Sequence, residues 1–199
     1  DAEWLAGLVV RLLPAEPEPL GLLALIRLHL ARWPARLDAA GRLVLLEHQD
    51  RSRWDRQAIG DASRLIQRAA RLGPPGRFQV QAAIAAVHCE APAWEATDWP
   101  QLLALYTLLA ELDPSPVVRL NRAVAVWHVA GAGPALRQVE ALAGPLDTYH
   151  LFHATRAVLL RELERPSEAA AADTRALALT TNPGERALIE ARLGSSPPG

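Results

Sequence analysis

The chain has 199 residues with no Met, and its 21 basic side chains, all Arg, face 22 acidic ones for a formal net charge of -1. Half of the residues are hydrophobic, enough to bury one large core or two small ones. The balanced charge lacks the strongly basic face that phosphate neutralisation requires, and the single cysteine, Cys89, excludes an internal disulfide framework.

Leu and Ala dominate the composition, and both favour helix. A chain that starts at Asp1 and contains no Met reads as a piece of something longer. The most apolar stretch, Leu20 to Leu30, is interrupted by Arg27 and His29 and is too short to span a bilayer. No signal peptide is visible. Together these bounds predict a soluble, helical, intracellular and incomplete polypeptide.

Trp4, Leu5, Leu8, Val9 and Leu12 follow the spacing of one buried helix face. Pro14, Pro17 and Pro19 break the chain, and a second helix starts near Glu18 or Pro19 and runs to about Arg32. It is apolar nearly all round, which predicts a central helix. Trp33-Pro34 ends it. Ala35 to Asp50 is the least helical stretch, with Leu43 to Leu46 readable as a short extended segment or a buried connector. Helical periodicity resumes from Asp55 to about Leu72 through Ile59, Ala62, Leu65, Ile66 and Ala69. Gly73-Pro74-Pro75-Gly76 is a clear break and the best boundary within the chain.

Beyond it, helices alternate with short Gly-, Pro- or Asp-bearing loops. Ala104 through Asp113-Pro114 resembles the second helix and terminal Asp-Pro of a tetratricopeptide repeat. A helix from Val117 to Ala130 and one from Leu136 to Leu142 follow, then a pair from Tyr149 to Leu163 and from Glu168 to Leu179. Equivalent ends fall at Asp113, Asp147 and Thr180, a period of about 34 residues. Each pair has too little core alone, so Ala123, Ala125, Ala154, Ala157, Ala169 and Ala176 are expected to let neighbouring pairs approach closely. The third pair departs from the pattern: Asp173 replaces an aromatic, Thr181 a proline and Glu164 the turn glycine. Asn182, Pro183 and Glu185 suit the N-cap, first and third positions of a capping helix. The expected fold is all-α, built of stacked antiparallel hairpins in a TPR-like right-handed solenoid. It divides into a helical region over 1–72, repeats over 77–194 and a disordered tail over 195–199.

Chemistry-bearing residues are sparse. Of the six histidines only His150 and His153 fall within one helical turn, and no Cys or Glu motif stands nearby to complete a metal site. No HExxH, P-loop, GxSxG or GxGxxG is present. His88 and Cys89 are adjacent, so on a helix they point about 100° apart and make no dyad. No cofactor, metal or catalytic residue is expected, and no enzymatic role. The densest polar cluster is Glu47 to Asp55. It reads as a helix start, with Ser52 as N-cap and Asp55 three residues on, or as a surface epitope in which Arg51 and Trp54 meet a partner. Thr97 or Asp98 is expected to cap a helix, with Trp99 packed inward. Asn121, Ala125 and His128 share one side of their helix beside Arg122, which could grip a peptide carboxylate or line a plain solvated groove.

Several strings resemble the C-terminal extension of extracytoplasmic-function RNA polymerase sigma factors, in the subfamily that carries a tetratricopeptide-like domain. The specific ones are Gln49-Asp50-Arg51-Ser52-Arg53-Trp54-Asp55 and Asn121-Arg122-Ala123-Val124-Ala125-Val126. Leu12-Leu13-Pro14, Arg32-Trp33-Pro34, Gln79-Val80-Gln81, Thr97-Asp98-Trp99 and Tyr149-His150-Leu151 accompany them. Glu47-His48 departs from the acid expected just before Gln49. The likeness runs from about Glu3 to Leu193. It implies two further domains N-terminal to Asp1, one to bind and melt promoter DNA and one to read an upstream element through a helix-turn-helix. This chain would then be a cytoplasmic regulatory domain that contacts the sigma core domains, RNA polymerase, or a regulatory protein or peptide. Promoter DNA would be touched only through the missing domains, and no membrane is involved. The implied partner surface is a groove presenting Gln79, Gln81, Asn121, Arg122, His128, His150 and His153. The turn bearing Gln49, Asp50, Arg51, Trp54 and Asp55 would act as an interdomain latch. Two other readings stay open: a freestanding TPR-like adaptor for a peptide tail, and a metal or small-molecule enzyme using His150 and His153.

Overall fold

A computed structural model describes residues 1–194. It is all-helical, and the one β-type pairing among the described residues is an isolated antiparallel bridge between Leu37 and Leu43. The chain forms two compact units, Asp1–Asp113 and Pro114–Gly199. The tail expected to be disordered, 195–199, lies outside the described residues. No described helix is long and apolar enough to cross a membrane.

The first unit contains α1 (Ala2–Leu12), α2 (Pro17–Ala31), α3 (Arg56–Leu72), α4 (Arg77–Glu90) and α5 (Trp99–Leu112). Pro17 and Pro19 sit in the first turn of α2, where their missing N–H groups cost nothing. As its all-round apolar pattern predicts, α2 is central: α1, α3 and α4 all pack on it. Gly21 makes the crossing with α4 possible, since a Cβ there would lie 2.6 Å from the Gln79 nitrogen. The core beneath joins Ala24, Leu28 and Ala31 of α2 to Ile59 and Ala62 of α3, Ala82, Ala85, Ala86 and Cys89 of α4, and Trp54. Small residues dominate, so the helices approach closely and one indole fills the remaining space.

Two expectations are corrected here. The Gly73–Gly76 break is a turn inside the first unit, because α4 folds back onto α2 and α3; the division falls after Asp113. The face of α1 expected to be buried is open: Trp4 is 64% exposed and Leu12 69%, with Leu5 and Val9 exposed as well. Only Ala6 of this helix is fully buried, and the Glu3–Arg27 ion pair (2.8 Å) helps hold α1 to α2. The periodicity marks an apolar face correctly, yet nothing in the described chain covers it.

Between α2 and α3 the chain runs through three short 3-10 turns, Trp33–Ala35, Leu46–His48 and Arg51–Arg53. The Asp38 carboxylate accepts hydrogen bonds from the Ala40 and Arg42 amides, and Gly41 takes the positive φ (75°) of the turn. Asp55 caps α3 by accepting from the Ala58 amide at 2.9 Å. Asp98 caps α5 in the same way through Gln101. Ser52, the cap expected from sequence, lies in the preceding turn and bonds to Asp50.

The second unit contains α6 (Pro116–Ala130), α7 (Ala132–Glu140), α8 (Ala143–Leu146), α9 (His150–Glu162), α10 (Pro166–Leu179) and α11 (Pro183–Gly194). Helix α6 packs on α7, α7 on α9, α9 on α10, and α10 on α11. Ala123, Ala125, Ala157, Ala169 and Ala176 are buried at these crossings, and Ala154 is half-buried. The expected middle helix Leu136–Leu142 falls mostly within α7, which starts earlier and ends at Glu140, and the one-turn α8 follows it. Gly131, at φ 88°, joins α6 to α7 without a loop. Asn182 caps α11 as expected, its side chain accepting from the Gly184 and Glu185 amides.

Candidate functional site

The Gln49–Asp55 segment folds into a knot built around Trp54, which is buried. The Asp50 carboxylate accepts from the Ser52 amide (2.9 Å) and hydroxyl (2.6 Å), closing the turn and holding its carboxyl below the usual carboxylate range. Gln49 is buried and donates to the Val44 carbonyl. The Asp55 amide donates to the Ala31 carbonyl at the end of α2.

Arg51 crosses from this turn to the C-terminus of α4. Its Nη1 donates to the His88 and Ala91 carbonyls, both at 2.7 Å. Arg56, from the first turn of α3, donates to the Cys89 carbonyl at 3.2 Å and to the Arg51 carbonyl at 3.4 Å. Cations suit a helix C-terminus, where the last carbonyls lack intrahelical partners and carry about half a negative charge.

Three guanidinium groups surround the Trp54 ring: Arg51 at 4.6 Å from the centroid, Arg56 at 5.8 Å and Arg32 at 6.0 Å. Each cation–π contact contributes about 0.5–2 kcal/mol. Burial holds the Arg51 guanidinium below its ordinary pKa, and Arg56 and Arg32 push the same way. The buried Cys89 thiol is raised by burial, against the pull of Arg32 and Arg51. Beside the knot, His88 stacks on Trp94 (6.1 Å between centroids), and Trp99 meets both rings edge-on.

The remaining candidates are dispersed. Gln79 is buried against Gly21, with Gln81 half-buried on the same helix. Asn121 is exposed on α6, whereas Ala125, which shares its side of the helix, is fully buried. Arg122 donates to Gln138 of α7 at 2.9 Å. His128 is half-buried with its ring 4.7 Å from that of Trp127, and burial lowers its pKa. His150 Nε2 lies 2.8 Å from Glu185 of α11, and His153 is buried with Nε2 2.7 Å from the Asp147 carbonyl. Among the described residues no three His, Cys, Asp or Glu side chains group closely enough to hold a metal ion.

The structure thus gathers Gln49, Asp50, Arg51, Trp54 and Asp55 into one site and adds Arg32 and Arg56, which sequence reading missed. Neither carries a local signal; tertiary packing brings both to the indole. Gln79 and Gln81 sit on α4, away from the N-terminal turn of α3, and the α6 and α9 candidates belong to the second unit.

Residues 1–70 match the model of a family of unknown function, DUF6596. The chain is 49% identical over 193 residues to the uncharacterized protein R00370 of Rhizobium meliloti (strain 1021), covering 97% of this chain and 46% of that protein. The chain therefore spans about half the length of the curated relative it matches. No solved structure matches the chain.

Proposed function

We propose that this chain is the regulatory, protein-interaction part of an extracytoplasmic-function-type sigma factor, cytoplasmic and acting in transcription initiation. It works by a binding equilibrium rather than covalent chemistry. The observation that carries the reading is the open apolar face of α1, formed by Trp4, Leu5, Val9 and Leu12. A contiguous exposed face of this kind marks an interaction surface in a soluble protein. On this reading the DNA-binding domains of the longer protein cover it. The relative's greater length and the Gln49–Asp55 and Asn121–Val126 strings support the same reading. The helix pairs α6–α7 and α9–α10 are then repeats of a right-handed, TPR-like stack, and RNA polymerase is the machine whose output the domain sets.

Asn121 is the cleanest probe of the repeat surface, because it is exposed and its loss should not disturb packing. Asn121→Ala in the longer protein is expected to change expression from a cognate promoter reporter at equal protein level. Unchanged output would remove Asn121 from the partner surface.

A further inference from the structure

We propose that the outer face of α3 is an arginine stripe that grips the phosphate backbone of duplex DNA. The choice of DNA over an RNA duplex rests on the proposed role in transcription; the phosphate-binding chemistry does not.

The net charge of -1 hides an uneven distribution. Seven of the 21 arginines fall between residues 51 and 77, against two acids, Asp55 and Asp61. Arg51 and Arg56 serve the carbonyls at the end of α4. On α3 itself, a step of about 100° per residue puts Arg64, Arg68 and Arg71 within an arc of roughly 60°. Ile59, Ala62 and Ala69, the buried residues of the helix, lie on its other side. The Arg64 side chain is 71% exposed, and Arg68 and Arg71 are exposed as well, so a macromolecule can reach all three. From Arg64 to Arg71 the stripe is about 10 Å long.

Little on the protein neutralises it. Arg64 pairs with Asp61, one turn back. Among the described residues neither Arg68 nor Arg71 forms an ion pair. Arg68 donates to the Pro14 carbonyl at the long distance of 3.5 Å. The acids of adjoining elements are engaged: Asp55 with the Ala58 amide, Glu90 with the Ser63 hydroxyl, and Glu18 with the Phe78 and Gln79 amides. Exposed charges more than about 10 Å away are largely screened at 0.1 M salt. A partner approaching α3 therefore meets a positive surface, whatever the charge of the whole chain.

The chemistry of the face selects the partner. Between Arg56 and Arg71 every exposed side chain of α3 is Arg, Gln or Ala. A protein interface has an apolar or aromatic centre, and a membrane-surface helix inserts apolar groups. Helix α3 instead turns its apolar side inward, onto α2 and α4. A single strand is held by aromatic rings that stack on its bases, and the face has none. A duplex backbone needs none of these features. Guanidinium groups bond its phosphates bidentately, and Gln57, in the same arc, adds a neutral donor. Duplex DNA carries a negative charge per about 1.7 Å of axis, so a stripe of about 10 Å finds a phosphate for each arginine. Such contacts carry no sequence information, and the stripe binds any duplex.

The test is fluorescence anisotropy of this chain with a labelled DNA duplex of random sequence, over a range of salt concentrations. Binding is expected at low salt, with log affinity falling against log salt at a slope of about -3, close to one counterion per arginine. Arg68→Gln and Arg71→Gln together should bring the slope to about -1 and weaken binding about a hundredfold, tenfold for each charge-assisted contact. Asp61→Asn, which releases Arg64 from its pair, should tighten binding. Arg119→Gln, the same loss of charge at an exposed position on α6, should leave it nearly unchanged. Circular dichroism confirms that each variant is folded. No binding at low salt, a slope near zero, no effect of the double substitution, no gain from Asp61→Asn, or equal weakening by Arg119→Gln would each overturn the proposal. So would tighter binding to an RNA duplex of the same sequence or to phosphatidylserine vesicles. The duplex carries no promoter and no polymerase is present, so a failure of the transcriptional role would leave this result standing.

Discussion

The carboxylate of Glu18, on α2, occupies the space that a side chain on Gly76 would need and caps α4 in its place. It accepts hydrogen bonds from the Phe78 amide at 3.0 Å and the Gln79 amide at 3.1 Å. Gly76 is the N-cap of α4 and has no side chain of its own to offer; a Cβ there would overlap the Glu18 side chain. Its φ of -95° is ordinary, so the requirement for glycine is one of space. Both Gly76→Ala and Glu18→Ala are expected to destabilise the first unit by about 1–2 kcal/mol, the usual cost of a lost N-cap. Combined, they should cost less than the sum, because each removes the same interaction. Urea denaturation of the two single variants and the double variant checks this, and strict additivity would show that the cap is not shared.

Glu164, in the turn between α9 and α10, takes φ 56°, the left-handed region that glycine occupies without strain. Side chains there cost about 1–2 kcal/mol. Glycine returns part of that gain through a more flexible unfolded chain. Glu164→Gly is therefore expected to stabilise the chain by about 0.5–1 kcal/mol in thermal or urea unfolding. Destabilisation would mean that the Glu164 side chain makes a contact worth more than the strain.

Cys89 is fully buried and its thiol is raised by burial. Reaction with a thiol reagent needs the thiolate and access to it. The native chain should react far more slowly at mildly alkaline pH than the same chain in guanidinium chloride. Equal rates would contradict the packed core around α4. Loss of the Arg51 clasp in Arg51→Ala should speed the native reaction, by loosening the end of the helix that holds Cys89.

Local signals carried much of the fold. Pro17 and Pro19 mark the start of α2, Asn182 marks the cap of α11, and the apolar girth of α2 marks its central place. Pairings made across the chain were not legible. Asp173 departs from a repeat pattern that asks for an aromatic, and the structure supplies the reason: it is fully buried and accepts from Arg161 and Arg192, each at 2.5 Å, tying α9, α10 and α11 together. Glu185 holds the third position of α11, where a capping box would turn its side chain back to Asn182. It instead accepts from the Thr180 hydroxyl and meets His150, because tertiary neighbours outbid the local partner. The Gln49–Asp55 string is polar and dense in the sequence, yet which of its side chains turn inward depends on the end of α4, more than thirty residues away. Trp4 and Leu12 show the opposite failure: their helical spacing is correct, but nothing in the described chain covers them.

The most direct test of the proposed role is run-off transcription by core RNA polymerase with the longer protein, compared with a version lacking residues 1–199 and one carrying Trp4→Ser with Leu12→Ser. The account predicts a promoter-dependent transcript whose amount changes when the region is removed, with the double substitution changing it in the same direction. No promoter-dependent transcript from the longer protein, or one indifferent to both changes, would contradict it.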